Sequence, residues 1–169
     1  MMGPTTSTAA LIGVGRCDRG DAAAGLVVSH IVGRRVSDRV EITAPPTSTA
    51  ELIEMWCRHD IVFVVGAARP DARPGLIRRS EPLEQPDPQH LLHLSRDVDL
   101  DDAITLGRKL DRLPRLLVVY SIEGQRFTQR AGVSPEVATA AHDVAGCILT
   151  EIDALTATRW DLRSAANSG

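Results

Sequence analysis

The sequence has few aromatic residues and no excess of positive charge. Aromatic side chains make up 3% of the 169 residues, so we expect a core of aliphatic side chains. The same scarcity argues against an aromatic stacking surface for single-stranded nucleic acid. Its 19 basic and 22 acidic side chains give a formal net charge of −3, which does not fit a protein that mainly neutralises phosphates. We therefore expect no nucleic-acid partner.

Paired cysteines and long apolar runs are also missing. The three cysteines, Cys17, Cys57 and Cys147, lie far apart, and no CxxC spacing occurs. A zinc ribbon and a thioredoxin-type motif are therefore excluded. An odd number of cysteines without a secretory leader indicates reduced thiols. No run approaches the ~18 apolar residues of a membrane span. We expect a cytoplasmic protein with no membrane segment.

Short apolar runs alternate with helical patterns along the chain. Strands are predicted at 9–15, 40–43, 61–65 and 115–121, with short extended pieces at 75–78 and 90–94. Helices are predicted at 22–36 with Asp21 as N-cap, from Thr47 or Ser48 to 57, at 99–113, and from Ser134 to about 155. This alternation is typical of an α/β fold with a mostly parallel sheet and helices on both faces. We expect a loose N-terminus over 1–8, one domain over 9–156 and a flexible tail over 157–169.

In open α/β sheets the functional site lies beyond the carboxyl ends of the strands. The predicted strands place four segments around that rim, namely 15–21, 43–49, 66–70 and 121–127. The first of them begins with Gly13-Val-Gly15, but Asp18 stands where a dinucleotide-binding fingerprint needs its third glycine. A P-loop motif is absent. Nucleotide binding is therefore disfavoured.

Two further kinds of site are open at the sequence level. Cys17 lies on the rim, and His93 is its candidate partner in nucleophilic catalysis; the alternative is a loop cysteine beside an unrelated histidine. The densest group of possible metal ligands contains His90, His93, Asp97 and Asp99. The alternative interpretation of that group is a solvated polar loop.

Six segments follow one another in an order that resembles one protein family. Residues 11–25 read LIGVGRCDRGDAAAG, and the later segments are 61–67 (IVFVVGA), 68–77 (ARPDARPGLI), 92–106 (LHLSRDVDLDDAITL), 118–124 (VVYSIEG) and 132–137 (GVSPEV). The set is similar to motifs of the nickel–iron hydrogenase maturation proteases, which open with G-[IV]-G-N and G-D-[DE]-G-x-G. The resemblance covers about nine-tenths of the chain.

The resemblance implies a fold, an activity and a metal site. The fold is a twisted, mainly parallel five-stranded sheet between two layers of helices, which agrees with the α/β pattern. Family members cleave a C-terminal extension from the hydrogenase large-subunit precursor after nickel insertion, and two acidic residues and a histidine hold the metal. The matching positions are Ala22, Gly66 and Arg96. None of these side chains offers a lone pair to a divalent cation, and a permanently charged arginine repels one.

The nearest substitutes for the missing ligands are Asp18, Asp21 and His93. They lie in the matching segments, but Asp21 corresponds to the family's first, non-ligand acid, and His93 lies three positions before Arg96. We therefore expect no metal and no other cofactor, with nickel bound only if these side chains rebuild a site.

Several arginines are expected around the rim, where they can accept a carboxylate such as a chain terminus. They are Arg16, Arg19, Arg69, Arg73 and Arg96. A solvated basic face is the equal alternative. The leading hypothesis is a monomeric maturation-protease-like protein with a degenerate metal site and reduced or no peptidase activity. Its expected partner is a hydrogenase large-subunit precursor or a maturation factor. The alternatives are an active endopeptidase with a rearranged site and a carboxylate-binding protein unrelated to hydrogenase.

Overall fold

Five strands form one sheet, and helices pack against both of its faces. The computed structural model describes residues 9–36, 40–69, 73–86 and 98–166. The strands are β1 (Ala9–Gly13), β2 (Val40–Ile42), β3 (Ile61–Ala68), β4 (Ile77–Ser80) and β5 (Leu116–Glu123). The α-helices are α1 (Ala24–Gly33), α2 (Thr49–Trp56), α3 (Leu100–Lys109) and α4 (Pro135–Ala166), and a 3-10 turn at Gly20–Ala23 precedes α1.

The strand order is β2-β1-β3-β5-β4. β1, β2, β3 and β5 run parallel, whereas β4 pairs antiparallel with β5 and forms one edge. This arrangement confirms the predicted α/β fold with a mostly parallel five-stranded sheet. It brings the carboxyl ends of β1, β3 and β5 to the same end of the sheet.

The central strand β3 supplies side chains to two separate hydrophobic clusters. Phe63 and Val65 pack in the cluster that contains the buried faces of α1 and α4. Val62 and Val64 pack in the opposite cluster with α2 and α3. Successive strand side chains point to opposite faces, so an uninterrupted apolar run requires cover on both sides. The predicted burial of this strand on both faces is confirmed.

Two glycines allow α1 to lie directly against the sheet. A Cβ atom added to Gly25 would lie 2.3 Å from the Val65 carbonyl oxygen, and one added to Gly13 would lie 2.2 Å from Ser29 Oγ. Both separations are far below van der Waals contact. Side chains at these positions would push α1 away from β1 and β3. The loop between β1 and α1, at the carboxyl end of the sheet, would move with the helix.

Side-chain caps begin two of the helices. The Ser48 hydroxyl accepts a hydrogen bond from the Glu51 N–H at 3.1 Å, and the Glu51 carboxylate accepts the Thr47 N–H at 2.6 Å. Asp99 caps α3 by accepting the Asp102 N–H at 2.9 Å. Each cap satisfies a backbone donor that the helix itself cannot satisfy. The predicted cap of α2 at Thr47 or Ser48 is confirmed, with Ser48 as the N-cap.

A polar network connects α4 to the edge strand. The Tyr120 hydroxyl donates to Glu151, and the Arg79 guanidinium donates to both oxygens of Glu151 at 2.9 and 2.8 Å. Burial, reinforced by the Glu151 carboxylate, raises the pKa of Tyr120. Burial opposes ionisation of Glu151, but the hydrogen bond from Arg79 prevails and lowers its pKa. The ion pair between Arg79 and Glu151 therefore connects β4 to α4.

Several expected boundaries differ from the structure, among them those of α1, β4 and α4. α1 begins at Ala24, so Asp21 is not its N-cap. β4 begins at Ile77, because Gly75 has φ +82° and turns the chain before the strand. α4 continues to Ala166, past its expected end near 155, since no proline or glycine interrupts residues 147–168. The expected extended piece at 90–94 lies outside the described residues. No helix in the described ranges combines the length and apolarity that crossing a membrane requires.

Candidate functional site

The candidate site lies at the carboxyl end of the sheet, where two loops are hydrogen-bonded to each other. We call residues 14–23 the β1 loop and residues 124–134 the β5 loop. The Asp21 N–H donates to the Arg126 carbonyl at 2.7 Å, and the Gly20 N–H donates to the Ala131 carbonyl at 3.1 Å. The Arg130 N–H donates in the opposite direction, to the Asp18 carbonyl at 2.8 Å. These bonds fix the two loops as one surface.

The Asp21 carboxylate is the centre of this contact. It is completely buried and accepts backbone N–H groups from Gln125 at 2.8 Å, Arg126 at 2.9 Å and Ser134 at 2.7 Å. The Ser134 hydroxyl lies 2.9 and 3.0 Å from its two oxygens. Burial opposes ionisation, but these donors outweigh it and hold the pKa of Asp21 below its usual range. Asp21 therefore ties the β5 loop to the β1 loop as an ionised, hydrogen-bonded carboxylate.

Two of the three positions that the sequence resemblance matched to metal ligands lie within the described residues. Ala22 lies half-buried in the 3-10 turn, and Gly66 lies inside β3, paired with Ser121 of β5. The sequence analysis placed Gly66 after the strand, but pairing with β5 continues as far as Ala68, which lies opposite Glu123. The third position, Arg96, lies outside the described residues.

The substitute ligands are engaged in other contacts or lie outside the described residues. Both oxygens of Asp18 accept hydrogen bonds from the Arg16 guanidinium, at 2.9 and 2.8 Å, and this contact lowers the pKa of Asp18. A metal at Asp21 would have to displace the donors described above. His93 is outside the described residues, so its pairing with Cys17, an exposed free thiol, stays a prediction. Within the described ranges no three His, Cys, Asp or Glu side chains cluster as metal ligands. Of the positions that the resemblance matched to metal ligands, the two that the structure describes, Ala22 and Gly66, supply no side-chain ligand.

Glu123, at the end of β5, is a buried charge that sequence analysis did not single out. Only 2% of its side chain is exposed. Its carboxylate accepts the Arg73 N–H at 3.1 Å and lies 3.3 Å from the Arg78 guanidinium. A glutamate that ends a buried apolar strand, in the sequence Ser-Ile-Glu-Gly, was the available signal. The contact holds residues 73–78 against the end of β5.

The predicted arginines lie around the rim, with one exception outside the described residues. Arg16 is exposed and paired with Asp18, whereas Arg19 is exposed two positions before Asp21. Arg69 follows β3 directly, and Arg73 is exposed while its backbone N–H binds Glu123. Arg96 cannot be placed.

Two further arginines, Arg126 and Arg130, were missed by sequence analysis. Both are exposed on the β5 loop. Their backbones are the ones that bind the β1 loop, so they lie beside Arg19. Nothing in the local sequence indicates this proximity, because more than a hundred residues separate the two loops in the chain.

Comparison with known proteins identifies the class to which this architecture is similar. No family model matches the sequence, and no curated protein matches it. Solved structures of hydrogenase maturation proteases do match over most of their length. The chain therefore has the fold of this class, as the sequence resemblance implied.

The particular structures come from a bacterium and two archaea. The hydrogenase maturating endopeptidase HybD from E. coli matches with a TM-score of 0.67 and 18% identity, over 86% of this chain and 91% of that one. A hydrogenase 2 maturation peptidase from Thaumarchaeota archaeon SCGC_AB-539-E09 matches with a TM-score of 0.64 and 18% identity, over 85% and 97%. The [NiFe] hydrogenase maturation protease HycI from Thermococcus kodakarensis matches with a TM-score of 0.61 and 18% identity, over 88% and 94%.

Proposed function

We propose that this chain is a hydrogenase maturation protease-like protein with a degenerate metal site. In this proposal it docks onto a hydrogenase large-subunit precursor or a maturation factor, and its peptidase activity is reduced or lost. The observation that carries the proposal is the combination of the shared fold with donor-free residues, Ala22 and Gly66, at two positions matched to metal ligands.

Metal chemistry explains why these replacements matter. A transition-metal site in a protein needs about three side-chain ligands, and methyl and hydrogen groups supply none. The Asp21 carboxylate, next to Ala22 in the chain, already accepts hydrogen bonds from three backbone N–H groups. Recruiting it would leave several backbone N–H groups without an acceptor, which opposes the movement.

Docking remains compatible with the loss of the metal. The fold and the tied loops of the rim do not depend on a metal ion, since Asp21 and Glu123 hold them through hydrogen bonds and an ion pair. A surface that relatives use for a protein substrate can therefore persist as a binding surface. Its partner would be a protein of hydrogenase maturation.

Nickel titration by calorimetry tests the metal assignment. We expect no stoichiometric site for the natural chain at neutral pH. The triple variant Ala22→Glu, Gly66→Asp and Arg96→His restores the two acids and the histidine, and we expect it to gain stoichiometric nickel binding. Circular dichroism checks that the variant is folded. Stoichiometric binding by the natural chain, or none by a folded triple variant, would contradict the assigned positions.

A pull-down with the nickel-loaded large-subunit precursor separates the remaining alternatives. Retention of a full-length precursor supports docking without cleavage. Shortening of the precursor during incubation supports the active endopeptidase with a rearranged site. No retention, with either processed or unprocessed large subunit, favours a carboxylate-binding protein unrelated to hydrogenase.

A further inference from the structure

The contact between the two loops assembles three arginines that are distant in the sequence. Arg19 lies on the β1 loop between Asp18 and Gly20, and both of these neighbours are hydrogen-bonded to the β5 loop. The Asp18 carbonyl accepts the Arg130 N–H, and the Gly20 N–H donates to the Ala131 carbonyl. Arg126 accepts the Asp21 N–H through its carbonyl. We call Arg19, Arg126 and Arg130 the loop arginine cluster.

The three side chains of the cluster are exposed, and their charges are only partly balanced by the carboxylates that the structure describes. Within the described ranges none of its three guanidinium groups forms a direct ion pair, whereas the neighbouring Arg16 pairs with Asp18. The charge of Arg19 also helps to lower the pKa of Asp18, so this carboxylate offsets part of the positive charge. The charge of Asp21 faces inward and is completely buried. The other nearby carboxylate, Glu136, is exposed at the start of α4, 3.4 Å from the side-chain amide of Gln125. A chain with a net charge of −3 thus carries a locally positive surface at its rim.

The surface is rigid at the backbone level. Asp21 accepts the Arg126 N–H at 2.9 Å, and the Asp18 carbonyl accepts the Arg130 N–H at 2.8 Å. Arg130 has φ +64°, in the left-handed region that favours glycine or asparagine. An arginine therefore occupies a position where its own backbone preference works against it.

We propose that the loop arginine cluster is a docking surface for an acidic peptide segment of a protein partner. Guanidinium groups bind carboxylates through paired hydrogen bonds, and three exposed cations on a fixed backbone suit an extended chain with several carboxylates. Each exposed pair alone is weak, so several must act together. The proposal does not depend on the proposed function, because any partner with an acidic segment satisfies it.

Nucleic acid is disfavoured as the occupant. A long polyanion would meet the net negative charge of the whole chain beyond the cluster. The only aromatic side chain on the β5 loop is Phe127, which is half-buried and packs against the core. The cluster therefore lacks an exposed aromatic ring for base stacking.

Fluorescence anisotropy with a labelled probe tests the proposal on the full chain. The probe is a fluorescein-labelled peptide of alternating glutamate and glycine, and the comparison peptide has glutamine in place of glutamate. We expect the natural chain to bind the acidic probe at low salt and to bind it more weakly as the salt concentration rises. We expect no binding of the glutamine peptide. The variant Arg126→Glu/Arg130→Glu should bind about tenfold or more weakly, because rim charges govern such encounters.

A matched control reverses two charges at the opposite end of the sheet. Arg58 and Arg115 are exposed before β3 and β5, respectively. The variant Arg58→Glu/Arg115→Glu has the same net charge as the test variant and should bind like the natural chain. The charge-preserving variant Arg126→Lys/Arg130→Lys should retain most of the affinity. No binding of the probe at low salt, an equal loss in the control variant, or tighter binding of an oligothymidine with the same number of charges would overturn the proposal.

Discussion

The buried carboxylate of Asp21 offers a direct test of how the rim is held together. We predict that Asp21→Asn destabilises the protein while leaving its fold unchanged. Oδ2 accepts the backbone N–H groups of Gln125 and Arg126, and Oδ1 accepts the N–H of Ser134. An asparagine amide group replaces one of these oxygens, and its own N–H bonds then face a backbone donor.

The expected magnitude comes from the number of donors affected. At least one backbone N–H loses its acceptor, and leaving a buried donor unsatisfied costs about 1–3 kcal/mol. Hydrogen bonds to the remaining oxygen also lose the contribution of the charge. We expect a decrease of about 2–4 kcal/mol in the free energy of unfolding, which lies in the range of substitutions that break a buried polar network. For a chain of this size, each kcal/mol lowers Tm by roughly 2–4 °C.

Urea denaturation measures this decrease, and Asp18→Asn is the control. Asp18 forms an exposed pair with Arg16, so its replacement should change the free energy of unfolding by less than about 0.5 kcal/mol. Hydrogen exchange should show faster exchange at the amides of Gln125, Arg126 and Ser134 in the Asp21 variant. Equal stability of the two variants would refute the role assigned to Asp21.

The pH dependence follows from the same carboxylate. Its folded-state pKa is depressed, so its contribution is fully present above the unfolded pKa of about 3.9 and is lost as pH falls through the folded value. The natural chain should therefore lose this contribution only in acid, below about pH 4. The difference in stability between the natural chain and Asp21→Asn should be constant near neutral pH and should shrink on acidification. A difference that grows below that pH would contradict the depressed pKa.

Four further substitutions are measured by urea denaturation. Gly13→Ala should lower the free energy of unfolding by about 1–3 kcal/mol or more, because its Cβ would lie 2.2 and 2.4 Å from two oxygen atoms. Gly146→Ala, with open space at its Cβ, should instead raise the free energy of unfolding by about 0.5–1 kcal/mol. Similar effects at the two glycines would disprove the close packing of α1. Glu123→Gln should lower the free energy of unfolding by about 1–3 kcal/mol, since it weakens the contact with Arg78. An unchanged free energy of unfolding would show that this ion pair does not stabilise the fold. Ser48→Ala should cost about 1 kcal/mol through loss of the α2 cap, and an unchanged midpoint would argue against that cap.

The elements that the sequence predicted correctly depend on near neighbours in the chain. The β-branched run of β3 and the cap at Ser48 were both recognisable, because strand alternation and capping involve residues within a few positions of each other. The family resemblance added the number of strands. The predicted ends of strands were less accurate where a glycine was involved, as at Gly66 in β3. Whether a glycine continues a strand depends on its pairing with the neighbouring strand, which the local sequence does not contain.

The role of Asp21 and the arginine surface were decided by the tertiary structure. A carboxylate before a helix normally caps that helix, which is why the sequence predicted an N-cap. The chain instead brings the β5 loop close enough to offer Asp21 three backbone donors, and this outcome requires the path of β5 and α4. The same path places Arg126 and Arg130 beside Arg19. Local hydrogen bonding and side-chain periodicity are encoded over a few residues, whereas contacts between distant loops exist only once the sheet has aligned the strand ends.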